Sequence, residues 1–184
     1  MSDATSPHAT EPAGGDARLE HAAQWLATYG MLTVAVNDDD GAAYLAQPHP
    51  EDNDSFIVPV FGSLDAARLH LQNHFDLLSD PALGELIVLA WHPQSAVVLS
   101  NNFLHNEHTV HWALVDLDGN DGNKLLAAPD DLHHALVPKL GQPPNDAVVG
   151  PAAVFFIEID DTNPQRPTVH LRQHEEPETP TNPQ

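Results

Sequence analysis

The segment from Ser55 to Ser100 alternates strand and helix signals, an order that only an α/β core accommodates. Phe56-Ile57-Val58-Pro59-Val60-Phe61 is an apolar run rich in β-branched and aromatic residues, the composition of a buried strand. Ser63 then stands where a helix cap belongs, and Asp65 falls in the first turn, where the helix dipole favours an anion. Leu64, Ala67, Leu71, Phe75 and Leu78 recur at helical spacing and predict the buried stripe of that helix. A second β run, Glu85 to Trp91, ends at His92-Pro93-Gln94-Ser95, and Ala96 to Leu99 is expected to return as its hairpin partner. The prediction is an α/β (α+β) fold: a single domain with a mixed β-sheet flanked by helices. Nothing in the segment is a catalytic signature.

The flanking regions extend the pattern. Asp16 to Tyr29 has Leu19, Ala22, Ala23 and Leu26 at helical spacing, with Asp16 as cap and Gly30 as stop. Met31 to Val36 predicts a strand, Asn37 to Gly41 a turn, and Ala42 to Gln47 the returning strand, with a polar loop over Pro48 to Asp54. Pro59 removes a ladder donor from the strand that holds it, which favours an edge position or a bulge. His108 to Val115 alternates as a strand, Asp116 to Asn123 is a turn, and Pro129 to Leu140 is a helix with Pro near its start and Gly141 past its end. Ala152 to Ile159 is strongly β, and Thr168 to Arg172 is its expected partner. Residues 1–15 and 173–184 are polar, proline-bearing tails expected to be disordered, which leaves 16–172 as the domain.

Charge excludes several function classes. Six Lys and Arg face 27 Asp and Glu, a formal charge of −21. Such a surface repels nucleic acid and anionic membranes, so neither is an expected partner. It favours a basic protein partner or solubility in salt. The absence of Cys removes disulfides, thiolate nucleophiles and zinc–thiolate sites. The N-terminus lacks the basic and apolar regions of a signal peptide, and the longest apolar run, Leu86 to Trp91, is too short to span a bilayer. A cytoplasmic location is the expectation. The 13 His make the net charge responsive near pH 6.5, the unperturbed imidazole value.

Those histidines raise the question of metal. His70 and His74 stand at i, i+4 on the predicted second helix and can lean to one point, but zinc needs a third protein ligand. A half-exposed helix flank is the simpler account. His105, His108 and His111 form the densest group, yet on one strand alternation puts His108 opposite the other two. No metal site and no cofactor is therefore expected. Asp116, Asp118 and Asn120 match the first EF-hand ligand positions, but Asp121 stands where Gly is required and Ala127 where Glu is required. Ser63 lies at a strand-to-helix turn, but Asp65 breaks the nucleophile-elbow pattern. No glycine-rich phosphate loop occurs, and no residue is assigned as catalytic.

At Val58-Pro59-Val60-Phe61-Gly62-Ser63, followed by the acid-capped helix and Trp91-His92-Pro93-Gln94-Ser95, the chain resembles the N-terminal domains of the SseB-like family. Gly62 replaces the usual Thr, and His92-Pro93-Gln94 replaces an Asn-Pro-Gly type turn. The resemblance covers residues 30–100. It implies a bacterial α/β domain with no established catalytic residues and a role in protein–protein interaction. The expected function is a non-enzymatic interaction module, with Asp38, Asp39, Asp40, Asp116, Asp118 and Asp121 and the edge near Pro59 as binding features. Self-association is left open. The rivals are an acidic inhibitor or immunity protein for a basic toxin, a His-based metal enzyme, and plain adaptation to salt.

Overall fold

In a computed structural model of the chain, the residues described are 14–38, 41–100, 104–105, 108–114, 125–144, 147 and 149–175. Helix α1 (Gly14–Tyr29) leads into strand β1 (Met31–Asp38), and β2 (Gly41–Tyr44) and β3 (Gln47–Pro48) return from it. Strand β4 (Ser55–Phe61) is followed by α2 (Leu64–Asn73), α3 (Phe75–Leu78), β5 (Glu85–Trp91) and α4 (Pro93–Ser100). Strands β6 (Leu104–His105), β7 (His108–Leu114) and β8 (Leu125–Ala127) precede α5 (Pro129–Leu140), and β9 (Ala153–Asp160) and β10 (Thr168–Gln173) close the fold. The strands form one mixed sheet in the order β10-β9-β5-β1-β4-β7-β6, with β2 beside β1, β3 beside β4 and β8 beside β7. Among the described residues only β4 and β7 run parallel; the other pairs are antiparallel. The expected α/β fold with a mixed sheet is what the chain forms.

Strand alternation divides the core into two. Met31 and Ala35 of β1, Val58 and Val60 of β4, and Ile87, Leu89 and Trp91 of β5 point to the first face, where α1, α4 and α5 add Leu26, Val97, Leu132 and Leu136. Leu32, Val34, Phe61, Leu86 and Val88 point to the second face, beneath Ala66, Ala67 and Leu71 of α2. The interior strands are apolar on both faces because both faces are covered. Each large side chain buried this way contributes ~1.5–3 kcal/mol.

Local signals explain most boundaries. Ser63 Oγ accepts the Ala66 N–H at 3.1 Å, the expected cap of α2. Helix α5 has Pro129 at its start, and Gly141 ends it at φ 87°. Gly30, at φ +81°, ends α1, and its N–H closes the last turn on Leu26 O at 2.8 Å. A Cβ there would lie 2.1 Å from the Trp91 carbonyl, so the joint between α1 and β1 admits no side chain.

Four expectations are corrected. Ala96 to Leu99 is not a hairpin strand: Pro93–Ser100 is a helix, begun by the His92 carbonyl accepting the Ser95 and Ala96 N–H groups. Its Val-Val-Leu content suggested a strand, but the segment is held between the sheet, α1 and α5, and β5 pairs instead with β1 and β9. Pro59 is not on an edge, because β4 is flanked by β7 on one side and by β1 and β3 on the other. On that second side β3 pairs through Ile57 and β1 from Val60, so the proline sits at the seam between two partners. The stripe of α2 is rotated: Leu64 is 38% exposed, while Ala66 and His70 are buried with Ala67 and Leu71. Finally, helix α1 begins two residues before the cap expected at Asp16.

Candidate functional site

The three helices on the first face gather over β4, β7 and β8, and leave its other flank open. Register shows what lies along that flank. One transverse row carries Tyr44 of β2, Ala35 of β1, Ile87 of β5, Phe156 of β9 and Arg172 of β10. The next row carries Thr33, Leu89 and Val154, and the row after it Met31 and Trp91. Ala35 and Ile87 form a low floor between two larger rings, with Leu89 continuing it. Pro151 overhangs from the segment before β9, which the Ala152 N–H anchors to the Ala90 carbonyl at 2.8 Å. The result is a hollow of about 410 Å³ lined by Asn37, Tyr44, Ile87, Leu89, Trp91, Pro151, Val154 and Phe156.

The polar groups around it are already engaged. Trp91 Nε1 donates to Thr33 Oγ1 at 2.9 Å, which fixes the indole as an apolar wall, and its ring lies 6.1 Å from that of Tyr44. Asn37 Nδ2 donates to Glu85 Oε2 at 2.8 Å at the rim. Burial pushes the Tyr44 hydroxyl up to about 12, so it stays protonated at neutral pH and is no general base there. Such a lining favours uptake of apolar groups over bond chemistry.

A second groove of about 580 Å³ shares Phe156 with the hollow and runs over Glu158, Arg172, Gln173, His174 and Glu175. Arg172 Nη1 donates to Glu158 Oε1 at 3.0 Å. The His174 ring stands edge-on to Phe156 with centroids 5.3 Å apart. Hollow and groove are thus one continuous surface, apolar over β5 and charged over β10.

The helix pair of histidines meets as its i, i+4 spacing suggested, while the group at 105, 108 and 111 is divided between two strands. His70 is buried against Phe61, with ring centroids 4.9 Å apart, and His74 stacks on it at 4.4 Å. His105 and His108 do not share a strand; they are opposed positions across the β6–β7 pair, and His111 lies further along β7. His111 instead meets His49, their rings 5.3 Å apart, beside Asp52. Asp52 accepts from Ser55 Oγ at 2.5 Å and from the Asp54 N–H at 3.0 Å. The Ser55 bond first, then the Asp54 N–H, hold its carboxyl below the usual carboxylate value, with weaker help from His49 and His111. Nothing in the sequence spacing linked these residues, because His49 and His111 are brought together by the parallel β4–β7 pairing. Among the described residues no group of three or more His, Cys, Asp or Glu side chains is placed to hold a metal ion.

Of the acidic residues expected to bind a partner, Asp38 ends β1, while Asp39, Asp40, Asp116, Asp118 and Asp121 lie outside the described residues. No helix among the described residues is long and apolar enough to cross a membrane. The hollow itself was not foreseen, because its walls come from strands far apart in the chain and its shape depends on register. No protein-family model, no curated protein and no solved structure matches this chain.

Proposed function

We propose that this chain is a non-enzymatic protein–protein interaction module of the SseB-like type, which docks a basic partner on the open flank of its sheet. The observation that carries the reading is the hollow between the half-buried rings of Tyr44 and Phe156, floored by the buried Ile87, on a face whose other flank is roofed by three helices. A contiguous apolar surface rimmed by polar groups is what protein partners bury. With a formal charge of −21, the approach of a cationic surface is favoured and that of a second copy is opposed.

Val154→Arg tests it, since this half-buried side chain faces the hollow while the sheet beneath is unchanged. The tagged chain and the variant are used to capture protein from a lysate of the source organism at low and at high salt. The reading expects one stoichiometric protein held by the parent chain, released by salt and missed by the variant. The same proteins retained by both chains overturn it.

A further inference from the structure

The strand at the end of the sheet carries a feature independent of the hollow. Among the described residues β10 pairs with β9 alone, and its other edge ends the sheet. The His174 N–H turns inward to Val154 O, at 2.8 Å, so even-numbered positions here bond to β9 and odd-numbered ones point outward. At the first outward position the Val169 N–H donates to Gln72 Oε1 at 2.8 Å, and Gln72 Nε2 donates to Pro167 O at 2.6 Å. One carboxamide from α2 therefore makes both bonds that a residue of a parallel neighbouring strand would make. Gln72 fills the first rung of a strand that this chain does not supply. The same alternation turns the backbone groups of Leu171 and Gln173 outward, beyond its reach.

We propose that the outer edge of β10 from Leu171 onward is a strand-addition site for an extended cationic segment of a partner protein, with Gln72 marking where that strand must stop. Edge groups left unpaired are templates for another chain, and main-chain bonding of this kind gives affinity while alternate side chains give specificity. The occupant follows from the two faces of the added strand. On the second face its side chains continue the apolar row of Leu171 and Ile157. On the first face they meet the groove of Glu158, Arg172, His174 and Glu175, where two carboxylates face one guanidinium, on a chain whose formal charge is −21. A segment alternating apolar and cationic residues satisfies both. A second copy of this chain would bring the same carboxylates to its own edge, and Pro177 follows them.

The inference rests on the interaction-module reading for the kind of partner, though not on the hollow. The probe is a fluorescently labelled acetyl-Lys-Val-Lys-Val-Lys-Val-amide peptide, titrated against the full chain at low salt and followed by anisotropy. Two further versions carry backbone N-methyl groups on all Lys or on all Val residues, since only one alternate set of N–H groups can face the edge. Saturable binding is expected, lost more than tenfold with one methylated set and kept with the other. Gln72→Ala frees another rung and is expected to tighten binding several-fold. Tyr44→Ala, at the wall of the hollow four strands away from β10, is expected to leave peptide binding unchanged, so failure of the hollow and failure of the edge are separable. No binding, equal loss with both methylated sets, equal binding of a Glu-Val peptide, or sheet-to-sheet dimerisation of Gln72→Ala instead of tighter binding would each overturn the proposal.

Discussion

The two flanks of the first sheet face are built from strands of similar composition yet treated differently. Over β4, β7 and β8 the packing of α1, α4 and α5 on the sheet buries Trp112 of β7 and Leu132 and Leu136 of α5 completely. Over β5 and β9 the same face ends in Tyr44, Val154 and Phe156, left half-buried around an open hollow. Propensity does not separate them, since both are strands of Val, Leu, Phe and Trp. The difference is where the helices land. One flank is committed to stability, and the other keeps apolar area that folding does not consume.

The widest separation between the flanks should come from truncation. Leu136→Ala, on the roofed flank, is expected to cost ~2–5 kcal/mol by removing a fully buried side chain. Phe156→Ala, on the open flank, should cost well under half as much, since its ring is only half-buried. Urea unfolding of the two variants checks this, and equal losses would erase the distinction.

A smaller effect sharpens it from the other direction. Tyr44 is neutral in the fold up to about pH 12, against 10.0 for an ordinary tyrosine. The unfolded chain thus releases this proton first as pH rises. Stability from Tyr44 is complete below pH 10.0 and declines as pH climbs toward about 12. Tyr44→Phe should flatten that alkaline decline in urea midpoints while leaving the neutral value nearly unchanged.

Smaller still is the cap of α2, which lies on the second face and serves neither flank. Ser63→Ala should cost about 1 kcal/mol, read from the same unfolding curves. The smallest expected change is at Asp52. Its carboxyl is held below the ordinary 3.8 by the Ser55 hydroxyl and the Asp54 N–H, so its contribution is present above that pH. The contribution is lost as pH falls through the lowered value in the fold. Asp52→Asn should therefore shallow the acid limb of the stability profile below about pH 4 and alter neither flank.

These contrasts show what a linear sequence carries. Ser63, Pro129, Gly30 and Gly141 mark element ends because each acts on its own backbone or on groups within one turn. Strands β4, β5, β7, β9 and β10 are legible for a similar reason, in runs of adjacent β-favouring residues. Helix α4 is not, because Val97, Val98 and Leu99 favour strand locally and yield to burial from three sides. The hollow is less legible again. Tyr44, Ile87 and Phe156 are unremarkable alone and become a site only when three separate pairings align them in one row. The same applies to Gln72, an ordinary helix residue until β10 arrives beside it.

Gly30 bears on how the open flank stays open. Helix α1 is one of the roof elements, and a single residue with no room for a side chain connects it to β1. A joint so short has no travel: α1 cannot slide across the sheet toward β5 without pulling β1 out of register with Trp91. The roof is bolted to its wall at that corner, and Lys139, paired with Glu20, ties α5 to the same beam. Whatever enters the hollow meets a doorway with no door hung on that side, so its arrival rate should be set by diffusion and charge, with no helix required to move first.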